Sequence, residues 1–562
     1  MAPTHRQEEI EGRSYKEYAY SPVPVSSSSA VYEPTTTTTT TDTIITTTTT
    51  TTNNLDKETF VENINKKEEE CKLSATFGNV KGKCSVTEMA EKGSTLLQYV
   101  AAAAANLSIM ATGAMLGWTS PILGRLKKGE NTPLDRPITE NEGSWVGSLV
   151  ALGAAVGSFL AGYAAERFGR KYSLLFCIVP FTIGWVLIAT AATVVQLYIA
   201  RFIFGIALSF AFTVVPMYVG EIAETSIRGA LGSFLQLFIT FGLFYSYVIG
   251  PFVSYVVFWI LCACLPVVFF VVFMMMPESP YYLISRGKRD EAVAALVRLR
   301  STSESAVQSV ADDMQAAYEE SIQTQTKFSD LFTVKANFKA LIFTVLLASF
   351  QQLTGINVVL FYMGDIFDAA KSSLDPDVAT IIVGAVQIAA SFVTPFIVDR
   401  LGRKLLLITS GIGEIVTLGA LGLYFYLQKY EDEEMVDSIA MLPVISLVIF
   451  ITTYCIGWGP LPWAVMGEMF APDVKSKASG ITVSMCWLLA FFITKFASDI
   501  TQAFGNHTTY WMFGAFCLLS VLFTIFLLPE TKGKSLKEIQ DELSGIKPIK
   551  PEFSNYELPS KQ

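Results

Sequence analysis

The sequence contains a block of 49 residues, 229–277, that carries no Asp, Glu, Lys or Arg. As one α-helix this block would be about 70 Å long, whereas the hydrocarbon core of a bilayer is about 30 Å thick. The block therefore predicts two membrane-crossing helices, and Gly250-Pro251 supplies the break between them. Five further stretches could also cross a bilayer without a charged residue, at 96–123, 143–165, 340–364, 438–467 and 500–529. The chain is predicted to be a polytopic membrane protein.

The composition agrees with a membrane protein and excludes several other classes. Of the 562 residues, 51% are hydrophobic and only 16% are charged, whereas soluble domains carry roughly a quarter charged residues. The net charge is −9, and no basic patch suggests a nucleic-acid partner. The two histidines, His5 and His507, lie far apart, and the eight cysteines include no CxxC pair, so a metal site is not expected. We expect no cofactor and no enzymatic activity.

Residues 1–93 differ from the rest of the chain. They contain Ser26–Ser29, threonine runs at 35–41 and 46–52, and the charged run 66–70, without sustained apolar periodicity. Such a segment cannot bury enough apolar surface to offset the entropy of ordering, so we predict a disordered cytoplasmic segment. A mucin-like stalk is the alternative interpretation of a threonine tract, and it would require this end to lie outside the cell.

Twelve membrane spans are predicted in all, which makes the fold an all-α membrane protein of two six-helix repeats. The predicted spans are 96–121, 143–165, 172–192, 195–220, 229–250, 253–276, 340–364, 378–398, 405–427, 440–466, 478–500 and 510–528. The predicted domains are the disordered segment 1–93, an N-terminal bundle 94–277, a cytoplasmic linker with short helices 278–339, a C-terminal bundle 340–529 and a cytoplasmic tail 530–562.

Basic residues in the loops predict the orientation, because Lys and Arg favour the cytoplasmic side. The connections 166–171 and 399–404 read ERFGRK and DRLGRK, and together with the Lys- and Arg-rich linker they fall on one side of the membrane. The first loop on the other side is an exception, with Arg125, Lys127, Lys128 and Arg136. We therefore expect a multi-pass protein of the plasma membrane with both termini in the cytoplasm.

The two halves repeat the same motifs in the same order. Residues 166–171 correspond to 399–404, Glu221 and Arg228 to Glu468 and Lys475, and residues 277–279 to 529–531. Both copies begin on the same side of the membrane, so they are parallel repeats about an axis along the membrane normal. Two rigid halves that rock about a central site would use such a duplication.

Eight short motifs in this order resemble a known family. They are Gly162 to Lys171, Arg201-Phe202 with Gly205, Glu221 to Gly229, PESPYYL (277–283), QQLTGIN (351–357), DRLGRK (399–404), GWGPLPW (457–463) and PETKG (529–533). Over about 95–540 the chain resembles the sugar porters of the major facilitator superfamily. LGWTSPIL (116–123) and Gln387 are most similar to class III glucose transporters and insect facilitated trehalose transporters. The resemblance implies a monomeric carrier whose partners are a sugar and the lipid bilayer.

Charged residues at helix ends on one face form the first candidate set. Such groups can pair across the two halves when that face is closed, and the resemblance implies a salt-bridge network that holds the outward-facing state. Single exposed pairs contribute only about 0–1 kcal/mol, so several are needed to bias a conformational equilibrium. The alternative is that these charges only anchor helix ends. The predicted gating residues are Glu166, Arg167, Arg170, Arg201, Glu221, Arg228, Asp399, Arg400, Arg403, Glu468 and Lys475.

Polar side chains deep in the spans form the second candidate set. A sugar is uncharged, so its hydroxyls need amides that both donate and accept, together with an aromatic surface for its C–H face. Five side-chain amides lie inside the predicted spans, and all five match sugar-contact positions of the family. Each of them alone could instead make a helix–helix hydrogen bond. One tryptophan also matches, although it could instead belong to the packed core. The predicted substrate-binding residues are Gln236, Gln351, Gln352, Asn357, Tyr362, Gln387 and Trp463.

The spacing of these residues predicts broken helices. Gln351 and Asn357 lie about 120° apart on an ideal helix, so a straight span could not aim both at one ligand. Gly355 allows a break between them, and residues 457–462 allow the same in span 10. One amide expected from the family is missing, since Cys486 stands where many relatives have asparagine.

Acidic residues bear on energy coupling. Proton-driven sugar porters usually carry an aspartate in span 1, whereas 96–123 has no carboxylate and Met115 falls near that place. We therefore expect facilitated diffusion of a hexose or trehalose by alternating access. Two alternatives stay open: a proton–sugar symporter that uses Glu414 in span 9, and a sugar sensor that does not transport. Glu414 could instead be kept neutral by desolvation.

Overall fold

The computed structural model describes residues 94–545 except Thr225, 324–327, 371–373, Asp432, Ala471 and Ser535. The predicted disordered segment 1–93 lies outside the described residues, as does 546–562, the end of the predicted tail. Within the described residues the chain is helical and contains no strand.

Twelve described helices are long and apolar enough to cross a membrane, which confirms the predicted number. Spans 1 to 6 are Leu96–Lys128, Glu140–Phe168, Arg170–Ala189, Val194–Ile222, Arg228–Phe252 and Tyr255–Met274. Spans 7 to 12 are Lys335–Ala370, Pro376–Ile397, Arg403–Tyr430, Leu442–Met469, Lys477–Phe504 and Asn506–Phe526. The charge-free block divides after the short 3-10 helix Gly250–Phe252, and the Ser254 hydroxyl then caps span 6 by accepting from the Val257 amide.

Helix packing repeats between the halves. In the first half, span 1 packs on span 5 and span 2 on span 4; in the second half, span 7 packs on span 11 and span 8 on span 10. The halves meet where span 2 packs on span 11 and span 5 on span 8. Spans 2 and 8 are counterparts in the two repeats, and so are spans 5 and 11. The contact of span 2 with span 11 therefore corresponds to the contact of span 8 with span 5. The fold is therefore a pair of six-helix repeats related by a pseudo-two-fold axis, as predicted.

Two connections and the linker lie on one face of the bundle because the spans alternate in direction. We call this face, which carries residues 166–171, 278–334 and 399–404, the motif face, and we call the other one the opposite face. The linker contains the helices Pro280–Ser285, Arg289–Arg300, Glu304–Gln323 and Asp330–Thr333, of which the third is longer than the short helices expected. After span 12 comes the helix Leu536–Ser544, whose Gln540 donates to the Met469 carbonyl at 2.5 Å.

Glycines set the close approach of spans inside the first half. A methyl group on Gly205 of span 4 would overlap the Val150 carbonyl oxygen of span 2, and one on Gly153 would overlap the Phe202 carbonyl oxygen. Between spans 1 and 5, Gly113 and Gly242 approach the facing backbone in the same way. Small residues permit this because association within lipid depends on close van der Waals packing.

Candidate substrate site and gates

Spans 7 and 10 are broken where the sequence predicted. In span 7 the helix Lys335–Leu353 gives way to Ile356–Ala370 around Gly355, whose φ of +83° suits glycine. In span 10 the helix Leu442–Ile456 is separated from Leu461–Met469. A second irregularity in span 7, at Tyr362 (φ −112°, ψ 18°), was not predicted.

Three predicted amides and one cysteine form a buried cluster at these breaks. Asn357 Nδ2 donates to Gln352 Oε1 at 2.5 Å, and Gln352 Nε2 donates to Cys486 Sγ at 3.1 Å. The Cys486 thiol lies 3.9 Å from Gln351 Oε1. This amide cluster, Gln351, Gln352, Asn357 and Cys486, joins both pieces of span 7 to span 11. The cysteine is a weak partner, so its amide neighbours keep much of their hydrogen-bonding capacity.

Gln351 also holds the break of span 10. Its Nε2 donates to the carbonyl oxygens of Trp458 and Gly459, both at 2.8 Å. The break leaves these carbonyls without helical partners, and the amide satisfies them. Gln351 therefore makes the helix–helix hydrogen bond that was the alternative to sugar contact, and it fixes the shape of the wall beside the other amides.

The remaining predicted substrate residues have different environments. Gln387 is only 2% exposed, and within the described residues its Oε1 has no hydrogen-bond partner. A buried acceptor without a partner costs about 1–3 kcal/mol, which a ligand hydroxyl could recover. Gln236 and Trp463 are half-buried, and Trp463 packs against the hydrophobic core.

A cavity of about 1010 Å³ lies between the halves near the opposite face. Tyr362 lines this cavity, and so does Val358, the neighbour of Asn357, so the cavity ends beside the amide cluster. The Tyr362 hydroxyl donates to the Thr494 carbonyl at 3.3 Å and lies against Gly147 of span 2. Tyr362 therefore reaches from span 7 to the other half, at the position of its irregular backbone.

At the motif face, the predicted gating residues form one ion pair within each half. Arg170 lies 2.7 Å from Glu221, and its counterpart Arg403 lies 2.9 Å from Glu468. These pairs differ from the pairing across the halves that was expected. The reason is the turn before each arginine. Gly169 (φ +97°) and Gly402 (φ +91°) lie in these turns, and the helix that follows each glycine begins with the arginine and stays in the same half.

Two glutamates of the motif face were missed as candidates. Glu278 Oε1 accepts from the backbone amides of Arg170 at 3.1 Å and Lys171 at 3.0 Å, and Glu530 accepts in the same way from Arg403 at 3.2 Å and Lys404 at 3.0 Å. Burial raises the pKa of Glu278. Burial acts in the same direction on Glu530, but its backbone donors outweigh it and lower the pKa of that carboxyl. The repeated Pro-Glu-Ser and Pro-Glu-Thr motifs were the available signal.

The other motif-face candidates make local contacts. Glu166 and Arg167 end span 2, and their carbonyl oxygens accept from the Arg286 guanidinium at 2.7 and 3.0 Å. The side chain of Asp399 lies outside the described part of the chain. Further contacts at this face join Arg228 to the Ala223 carbonyl, Lys475 to the Gly467 carbonyl, and the Arg400 carbonyl to Lys532.

Arg201 does not belong with these residues, and its assignment to the motif-face network is corrected by the structure. Span 4 starts at the opposite face, so its eighth residue is still near that face. The Arg201 side chain is fully buried, and it donates to the carbonyls of Val146 at 2.9 Å and Met115 at 3.1 Å and to the Thr119 hydroxyl at 2.8 Å. It therefore ties span 4 to spans 1 and 2.

Two duplicated six-helix bundles with a polar cluster at broken helices define the major facilitator fold. The family described as sugar (and other) transporters matches residues 37–543, and the chain belongs to this family. This confirms the resemblance seen in the motifs.

Relatives and solved structures agree with this assignment. The chain is 36% identical to the facilitated trehalose transporter Tret1 of Anopheles gambiae over 451 residues, covering 80% of this chain and 56% of that protein. It is 36% identical to Tret1 of Bombyx mori over 449 residues, covering 80% and 87%. The chain thus spans just over half the length of the mosquito protein. The proton:xylose symporter XylE bound to 6-bromo-6-deoxy-D-glucose has 26% identity and a TM-score of 0.66, with 80% of this chain and 99% of that one covered.

Proposed function

We propose that the protein is a facilitative sugar transporter, a uniporter that moves a hexose or trehalose across the membrane by alternating access. The observation that carries the proposal is the amide cluster, where hydrogen-bonding side chains without net charge lie at breaks in two spans. We further propose a monomer in the plasma membrane with the motif face and both termini in the cytoplasm, since that face carries the basic connections. The bundles 94–277 and 340–529 would act as its moving domains, with 278–339 as the linker and 530–562 as the tail.

The arrangement suits alternating access. Both breaks lie in the second half, and the piece of span 7 after its break carries Tyr362, which contacts Gly147 of the first half. A site held by one half and covered by the other is exposed when the halves rock apart at either face. Tyr362, which reaches across to Gly147, would close the way from the cavity to the amides.

Uniport is favoured by the surroundings of Arg201. The described hydrogen bonds of this buried guanidinium go to carbonyls, a hydroxyl and the Met115 sulfur, at 3.5 Å in the last case. A carboxylate in place of Met115 would provide a titratable partner that could link a proton to the conformational cycle. The two relatives named above are described as facilitated transporters, which agrees with uniport.

Uptake into proteoliposomes tests the function. We expect purified protein to equilibrate radiolabelled trehalose or glucose across the vesicle wall without an imposed proton gradient. A competition series with glucose, fructose, trehalose and myo-inositol identifies the substrate. Accumulation above equilibrium that requires a proton gradient would contradict uniport, and saturable binding without any uptake would favour a sugar sensor.

A symporter that uses Glu414 is the second candidate, because this side chain is connected to the amide cluster. Glu414 is fully buried, and its Oε1 accepts from the Ser410 hydroxyl at 3.2 Å. The same hydroxyl accepts from the Trp458 amide at 3.3 Å, and the Trp458 carbonyl accepts from Gln351. In the same vesicles, we expect Glu414→Gln to transport at the normal rate, whereas a symporter would lose gradient-driven accumulation.

Removing the motif-face ion pair of the first half is expected to slow transport. Arg170→Ala deletes the partner of the half-buried Glu221, and the loosened motif face should reduce the turnover rate about tenfold. Binding of sugar from the opposite side should persist, since Arg170 does not contact the amide cluster. Initial rates and equilibrium binding measured on the same preparation separate the two. Loss of folded protein in detergent would instead make the pair a structural requirement.

A further inference from the structure

Arg125, Lys127 and Arg136, which were exceptions to the charge pattern used for orientation, have defined partners, and the first two lie in the last turns of span 1. Arg125 donates to three carbonyl oxygens at the end of span 5 and just after it, the nearest at 2.8 Å. Arg136 pairs with Glu142 at 2.5 Å within the same loop region. Both contacts stay inside the first half. Lys127 differs, because one of its partners belongs to the second half.

Lys127 bridges the two halves at the opposite face. Its Nζ lies 2.8 Å from Asp365 Oδ2 in span 7 and 2.8 Å from Glu140 Oε2 at the start of span 2. The three side chains are 20%, 30% and 54% exposed, so the ammonium is partly shielded from water. Partial burial strengthens an ion pair relative to one on an open surface. All three line the cavity between the halves.

A second lysine, in the second half, contacts the first half at the same face. Lys495 of span 11 donates to Asn141 Oδ1 in span 2 at 3.0 Å, and its ammonium lies 5.2 Å from the Trp145 ring centre. The side chain is only 7% exposed. Each half thus sends one lysine to the other half at the same face.

Asp365 is placed to move with part of span 7. It follows Tyr362, the position of irregular backbone, by three residues, and the helix continues to Ala370. A bend at Tyr362 would carry Asp365 toward or away from Lys127 without moving the amide cluster. A contact between parts that separate contributes free energy only while they are together.

We propose that Lys127 is a positioning residue that holds the opposite face closed by bridging Asp365 and Glu140. The bridge adds its free energy to the conformation in which that face is shut and is lost when the halves part. Its strength therefore sets the balance between conformations open and closed at this face. This inference rests on the proposed alternating access but concerns a different step from sugar binding.

Cysteine labelling at the cavity measures this balance directly. Ala497 lines the cavity and is 3% exposed, so Ala497→Cys gives a thiol that a membrane-impermeant maleimide reaches mainly when the face opens. We expect Lys127→Gln and Asp365→Asn each to raise the labelling rate about tenfold. Lys127→Arg keeps a positive charge between Asp365 and Glu140 and should leave the rate near the starting value, whereas a merely structural role of the lysine would not be met by the larger guanidinium.

The neighbouring Lys128 gives the matched control. It lines the same cavity and is exposed, and the described structure shows no ion pair for it, so Lys128→Gln removes the same charge and should leave labelling unchanged. Equal labelling in wild type, Lys127→Gln and Asp365→Asn would overturn the proposal, as would a labelling rate for Lys127→Arg as high as that for Lys127→Gln. Labelling needs no transported sugar, so a protein that proves inactive in vesicles would contradict the proposed function while leaving this test valid.

Discussion

Gly205→Ala is expected to leave almost no folded protein in the membrane. The added methyl group would overlap the Val150 carbonyl oxygen, and the facing Gly153 would also be too close. Overpacking a core usually costs about 1–3 kcal/mol when side chains can move aside. Here the obstacle is backbone, so spans 2 and 4 must separate along their length and lose packing along the whole contact. We expect the penalty to exceed that range and the yield of monodisperse protein to fall about tenfold or more.

Gly220→Ala is the matched control for this prediction. Gly220 lies in the same helix as Gly205, but apart from its chain neighbours and its own helix backbone no described heavy atom lies within 4 Å of the position that its Cβ would take. Alanine there should be neutral or slightly stabilising, because it is the better helix former. Size-exclusion profiles and thermal midpoints in detergent compare the two variants. Equal yields would show that the contact between spans 2 and 4 can open without penalty.

The sequence predicts the membrane spans well because one physical term dominates them. A charged side chain in hydrocarbon is so costly that charge-free length alone marks each span. The predicted 229–250 and 253–276 correspond to Arg228–Phe252 and Tyr255–Met274. Which glycines form close contacts is a different matter. Membrane helices are apolar on all sides, so no periodicity tells a packing face from a lipid face.

The ion pairs of the motif face were only partly predictable from the sequence. Motif repetition identified Arg170 and Glu221 as equivalent to Arg403 and Glu468, but sequence spacing does not say which partner a flexible guanidinium reaches. The structure pairs them within each half because a glycine turn places each arginine under its own bundle. Arg201 was grouped with them by its charge, although its position early in span 4 puts it near the other face.

The amides were found because polar residues deep in an apolar span are few and conspicuous. Their local arrangement was not predictable, since it depends on how far the chain turns at Gly355. Cys486 was interpreted as the loss of an amide, yet its sulfur accepts from Gln352. The charged loop after span 1 was treated as an exception to a rule, and only the fold reveals that Lys127 has a partner 238 positions away.

Asn357→Ala is expected to reduce sugar uptake at low concentration roughly tenfold to a hundredfold. Losing a hydrogen bond to a sugar hydroxyl, and leaving Gln352 Oε1 without its partner, should weaken binding by about 1–3 kcal/mol. The effect should appear mainly as a higher KM, because the broken backbone at Gly355 does not depend on this side chain. Asn337 is the control: it is also an asparagine of span 7 and equally buried, at 8%, but it contacts the Asp330 carbonyl.

Gln351→Ala should behave differently, and the difference separates sugar contact from support of the site. Its amide holds two carbonyls at the break of span 10, so its loss should lower both the thermal midpoint and the maximal rate. Gln351→Glu keeps the size but has at most one O–H in place of the two N–H donors, so it cannot satisfy both carbonyls and should also lower the thermal midpoint. Measuring KM and the maximal rate of uptake for variants with normal surface expression distinguishes the two roles. If Asn357→Ala and Gln351→Ala both transport like wild type while Asn337→Ala does not, the sugar binds nearer the motif face than the amide cluster.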